Sequence, residues 1–126
     1  MKLIIQGEMT DLNTYINSER RNRFIAAKIK KEETERVFWE CRSQKLSLIT
    51  KPSYFIFTWF LKDKRKDPDN VSSLGRKFIL DGLVRAGILF DDGQEYVKGF
   101  VDVFKIDKEH PRVEITTKLH LPQTIT

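Results

Sequence analysis

The nine residues SYFIFTWFL, 53–61, constrain this chain more than any other stretch. They are dense in aromatic and β-branched side chains, which suit a pleated, packed surface and not a solvated one. Pro52 punctuates the start of the run and the cations from Lys62 end it. A strand is predicted here, and the rest of the chain must supply the layer that covers it. With 40% hydrophobic and 11% aromatic residues in 126, the chain has the material for one domain with a real core.

Around that strand, KLIIQGE at 2–8 reads as a first strand closed by Gly7. Residues 10–45 contain no Gly or Pro and read as helix for most of their length, with a loop near NTYINS. Phe24, Ile25, Ile29, Val37, Phe38 and Trp39 are the expected core-facing residues of this helical region, with KIKKEETER on its wet side. A further helix is predicted from Asn70 to Ala86, stopped by Gly87 in the C′ position. A short apolar run ILF, a turn DDGQE, a strand at 96–106, a turn near DKEHP and a last strand at 112–121 follow. The order β-α-β-α-β-β, with the final two strands adjacent, predicts an α+β fold. We expect a single domain over 1–126, a mixed β-sheet with two main helices packed on it.

Charge and cysteine usage narrow the classes further. The balance of 23 Lys+Arg against 18 Asp+Glu leaves +5 and a pI near 9.4, which suggests a polyanionic partner such as nucleic acid. Cys41 is the only cysteine, so no intrachain disulfide forms and a reducing compartment is the simplest reading. With no His nearby, Cys41 reads as a core residue of a helix and not as a nucleophile. No stretch approaches a membrane span, and MKLIIQGEMT makes a poor signal peptide, so an intracellular soluble protein is expected.

The stretch FLKDKRKDPDN interleaves Lys62, Lys64, Arg65 and Lys66 with Asp67 and Asp69 at the entrance to a helix. Plain helix chemistry explains part of this. Asp67 suits an N-cap, Pro68 the first helical position, and Asp69 the positive end of the macrodipole. A second acidic site, FDDGQE at 90–95, is not covered by that account. If GILFDD returns the chain along the helix, Asp92 joins Asp67 and Asp69 in an oxygen-rich site. Such a site suits Mg²⁺ or Mn²⁺, which engage a few carboxylates together with waters and substrate phosphates. Cations beside it would hold a phosphodiester backbone, which together match metal-assisted cleavage of nucleic acid. An EF-hand is excluded, because its Gly and Glu positions counted from Asp67 hold Ser72 and Phe78. The D-x-D-x-V spacing of aspartyl phosphatases normally follows a strand directly, whereas KDKRK intervenes here. Zinc lacks ligands, since His110 and His120 stand apart in the C-terminal segment.

The combination of KRKDPDN with KFILDGLVRAGILFDDGQEYV resembles the RusA family of Holliday junction resolvases, phage-type endodeoxyribonucleases. DLNTYINSERRNRF is similar to the Asn- and Tyr-containing segment after the first strand in phage members, so the likeness spans most of the chain. Carried onto this sequence, it implies that Asp67 and Asp69 are paired metal ligands and catalytic acids. The third acid falls on Asp92, with Asp91 as the substitute. The family's functional lysine, four residues after the second Asp in some members, meets Ser73 here. Counted back from LDGL it falls on Lys77, four before Asp81, with Arg76 as competitor.

The resemblance further implies Mg²⁺-dependent (or Mn²⁺-dependent) hydrolysis at four-way DNA junctions by a homodimer making two symmetric nicks. It implies no membrane association and no small-molecule cofactor. Its setting is the cytoplasm of a bacterial cell, whether the gene is a phage's, a prophage's or the host's. The expected DNA contacts are Lys64, Arg65, Lys66, Asn70, Arg76 and Asn13, with Arg20, Arg21, Arg23 and Lys28 as weaker candidates. The other reading is a non-catalytic or weakly catalytic branched-DNA-binding protein of the same fold, which the displaced lysine supports.

Overall fold

The computed structural model describes residues 1–121. Its elements run β1 (Lys2–Gln6), α1 (Leu12–Arg21), α2 (Arg23–Ser43), β2 (Ser53–Leu61), α3 (Pro68–Arg85), β3 (Val97–Ile106) and β4 (Arg112–Lys118). The fold is α+β: one mixed sheet of four strands, in the order β1-β4-β2-β3, with the helices packed against it. β4 pairs antiparallel with both β1 and β2, whereas β3 pairs parallel with β2. No helix among the described residues is long and apolar enough to cross a membrane.

β2 is the strand the sequence marked, over the same nine residues, and it alternates buried and half-buried along its whole length. The register puts Phe57 and Leu3 on either side of Ile115, and Trp59 and Ile5 on either side of Val113. These residues share one sheet face and are fully or almost fully buried beneath the helices. Burying side chains the size of Phe55 and Phe57 stabilises the fold by about 2–3 kcal/mol each. The other face carries Glu114 and Arg112, which pair with each other at 2.7 Å, while the Arg112 guanidinium stacks on Phe60 at 3.8 Å. The second face also carries Tyr54, Ile56 and Phe60, half-buried, and one face buried with the other partly wet is the usual pattern of antiparallel pairing.

Three expectations need correction. The final two strands are not neighbours: β3 and β4 flank β2 on opposite sides. β4 brings Val113 and Ile115, both buried, between the two apolar strands, while β3 carries Lys98, Asp102 and Lys105 and takes the edge. The crossing segment is pinned where it starts, by Asp107 N–H donating to the Leu61 carbonyl at 2.8 Å and by Arg112 paired with Asp107 at 2.8 Å.

The first helical region is two helices, making three among the described residues, and it breaks at Asn22 and not at NTYINS. Asn22 is extended (φ −166°, ψ 115°), and its side chain accepts the Phe24 N–H at 2.8 Å, capping α2. In consequence α2 turns less of its apolar side inward than its sequence promised. Val37 is buried, whereas Phe24 is 70% and Trp39 66% exposed.

α3 and its termination follow the sequence more closely. Gly87 has φ 75°, its N–H donates to Val84, and Ile88 N–H donates to Leu83. That pair of bonds is a Schellman motif, in which glycine tolerates the left-handed backbone at C′.

Candidate functional site

α3 begins just beyond the end of β2, and its first turn is built as capping chemistry dictates. Asp67 is the N-cap, its carboxylate accepting the Asn70 N–H at 2.9 Å, with Pro68 opening the helix. Asp69 lies exposed in the first turn, and no hydrogen bond or ion pair holds its carboxylate among the described residues. The helix dipole favours negative charge at both positions.

A second helix start converges on this one. Asp11 caps α1 through Thr14 N–H at 2.7 Å, and the Asn70 side chain, buried, accepts the Asn13 N–H at 2.8 Å. Lys66 closes the junction, with its ammonium 2.9 Å from Asp11 and 3.4 Å from Glu8. Burial opposes charge on both partners, yet the hydrogen bonds win. Those from Thr14 and Lys66 hold the Asp11 carboxyl below its ordinary value, and Asp11 and Glu8 hold Lys66 above its own. The segments DLN and DPDN, which the sequence marked separately, are thus neighbours in space.

The expected site residues divide accordingly. Lys64 and Arg65 are exposed beside the acids, Arg65 with Asp63 at 3.6 Å. Lys66 and Asn70 serve the junction of the two helices. Asn13 exposes its side chain next to it. Arg20 and Arg21 are exposed at the far end of α1, about 10 Å or more along its axis from Asn13, and Arg23 and Lys28 are exposed in the first two turns of α2.

Asp92 is not gathered with Asp67 and Asp69. It binds Lys77 at 2.9 Å, and Lys77 also binds Asp81 at 3.0 Å. Lys77 lies about 12 Å along the helix axis from Asp69. GILFDD returns beside α3 only as far as its middle, where Asp92 meets Lys77: Leu89 bridges to Ile49, and the turn at Gly93 feeds Val97 into the sheet opposite Ser53. That is the end of β2 remote from the α3 start. Asp91 is exposed and accepts the Gly93 N–H at 3.2 Å. The two carboxylates raise the Lys77 pKa, Asp92 first and then Asp81, so it is charged at neutral pH. Among the described residues no group of three or more His, Cys, Asp or Glu is placed to hold a metal ion. The pair Asp67 and Asp69 still fits Mg²⁺, which takes one or two carboxylates and keeps its remaining positions for water and phosphate. The three-carboxylate set does not form.

Arg76, the alternative to Lys77, is committed elsewhere. Its guanidinium pairs with Asp102 on β3, reaches Ser72 Oγ at 3.3 Å and lies 5.0 Å from the Phe100 ring centroid. Asp102 also accepts the indole N–H of Trp59 at 2.9 Å. Sequence reasoning overlooked Asp102, although an acid set among apolar residues in VDVFK was a readable signal. It also overlooked Glu33, which is buried, accepts the Thr10 N–H at 2.8 Å and binds Arg36 at 3.2 Å.

No protein-family model matches this chain, and no curated protein sequence matches it significantly.

Proposed function

We propose that this protein is a metal-dependent endodeoxyribonuclease that cuts branched DNA, four-way junctions foremost, as a homodimer making paired nicks. The observation that carries the reading is the exposed Asp67–Asp69 pair beside the cationic run 62–66, within a sequence that resembles the RusA family over most of its length. Asp67 and Asp69 would hold Mg²⁺ or Mn²⁺, which when bound polarises a phosphodiester and lowers the pKa of a bound water. Lys64 and Arg65 bind the flanking phosphates, and Asn13 faces the same strand. Asp67 keeps its cap throughout, so the helix start stays rigid under the charge it carries. Lys77 acts from a distance, as a cation whose charge is fixed by Asp81 and Asp92.

A second reading, a branched-DNA-binding protein with little or no catalysis, is favoured by the salt bridge that keeps Asp92 at Lys77 and away from the acid pair. One assay separates the two. A synthetic four-way junction is incubated with Mg²⁺ or Mn²⁺ and either the natural chain or Asp69→Asn, at fixed salt. The nuclease reading expects paired nicks from the natural chain and at least a hundredfold slower nicking from Asp69→Asn, with junction binding retained. Tight junction binding with no nicking by the natural chain, at every metal concentration, establishes the binding reading instead.

A further inference from the structure

On the outer side of α2, Phe38 and Trp39 stack on each other, ring centroids 5.1 Å apart and planes 14° from parallel. Trp39 is 66% exposed, whereas the other tryptophan, Trp59, is 1% exposed. Two guanidiniums adjoin the pair: Arg85 lies 4.8 Å and Arg42 6.0 Å from the Phe38 centroid. Among the described residues the acid that meets them is Glu35, 3.8 Å from Arg85, a long and exposed contact that phosphate can replace. Gly82 brings α3 against Val37, which is why Arg85 of one helix reaches a ring on the other.

We propose that Phe38, Trp39, Arg42 and Arg85 form a stacking platform for unpaired bases of single-stranded or splayed DNA. Aromatic faces bind any base by stacking, and flanking arginines bind the backbone, the combination that single-strand binding surfaces use. An apolar protein partner would cover the indole but strip water from two guanidiniums with one carboxylate to share. A nucleic-acid strand supplies both a ring for Trp39 and an anion for each arginine. The platform goes beyond the cleavage reading. It sits about 24 Å along α3 from Asp69, and it holds whether or not the acid pair cuts.

The test uses the full chain and the exposed indole as its own reporter. Three ligands of equal length are titrated at fixed salt: oligothymidylate, a blunt duplex, and a single-stranded abasic deoxyribose-phosphate oligomer. The platform expects strong quenching of tryptophan emission by oligothymidylate alone. Trp39→Ala should bind oligothymidylate about tenfold more weakly, with abasic-oligomer binding unchanged. Trp39→Phe should keep the affinity within about threefold while losing the quench. A blue-shifted emission maximum from the buried Trp59 shows that both variants are folded. Equal quenching by the abasic oligomer or the duplex overturns the proposal. So does an emission change that tracks protein concentration without DNA, which assigns the patch to a second copy. Quenching without any junction nicking leaves this site standing and removes the cleavage reading; nicking without quenching does the reverse.

Discussion

Asp102 takes hydrogen bonds from two layers at once, the Trp59 indole in the sheet and Arg76 on α3. A carboxylate in that position explains why Arg76, read from the sequence as a DNA contact, is spent inside the fold. Single residues were legible where the chemistry is local: the Asp67 cap, Pro68 and Gly87 follow from neighbours within a turn. Residues whose partner lies far along the chain were not, and Asp102 with Arg76 and Glu33 with Thr10 are of this kind. Cys41 was read correctly as a core residue. It is buried, and desolvation pushes its thiol up to about 11.

The Asp11–Lys66 pair gives a pH prediction. A carboxyl depressed in the folded state contributes stability above its unfolded value, near 4, and loses it as pH falls through the lower folded value. A raised lysine keeps its contribution until pH climbs past the ordinary lysine value, so the pair is fully effective from about pH 5 to pH 10. Asp11→Asn keeps a good cap but removes the charge. It should cost about 1–2 kcal/mol at pH 7, discounted for the partial exposure of Lys66, and flatten the acid limb of a urea-midpoint profile. The limb becomes shallower without vanishing, because Glu114 is depressed too: burial works against its charge, and Arg112 and Lys2 prevail. An unchanged acid limb in Asp11→Asn removes the pair as its source.

At the scale of elements, the contact between α2 and α3 is set by one small residue. A Cβ at Gly82 would overlap the Val37 side chain and stand 3.3 Å from the Phe38 nitrogen. Val37 is β-branched and anchored close to its backbone, so it cannot swing aside as a flexible side chain would. Alanine gains about 1 kcal/mol of helix propensity over glycine, but forcing two helices apart costs about 1–3 kcal/mol or more. Gly82→Ala is expected to lower stability by about 1–2 kcal/mol in urea denaturation and to raise the exposure of Phe38. An unchanged or higher midpoint would show that the helices shift freely. Strand and helix positions were legible because periodicity and turn residues act within a window. The break at Asn22 was not, because an asparagine in a charged helical run gives the same signal whether it caps or merely faces water. Nor was the outward turn of Trp39, whose apolar character promised burial.

At the scale of the molecule, α+β with a mixed sheet was legible from the order of elements, and strand neighbourhood was not. A five-residue link such as DKEHP serves a hairpin as readily as a crossing over one strand. What decides is which strand carries two buried partners, and that is known only when all four are in place. The same gap separates Asp92 from the acid pair, since its position depends on where β3 enters the sheet.

The placement of β4 between β1 and β2 also sets a schedule. Leu3 pairs with Ile115, far along the chain, and among the described residues β1 has no other strand beside it. Contacts so distant in sequence pay loop-closure entropy before they return anything, so refolding should take milliseconds to seconds, not microseconds. A chain ending at residue 111 should show helix by circular dichroism but no cooperative melt; a sharp transition in it would mean that β4, and the pairing it gives β1, are dispensable. On the ribosome, β1 is made long before its partner and waits unpaired until residues 112–118 have emerged.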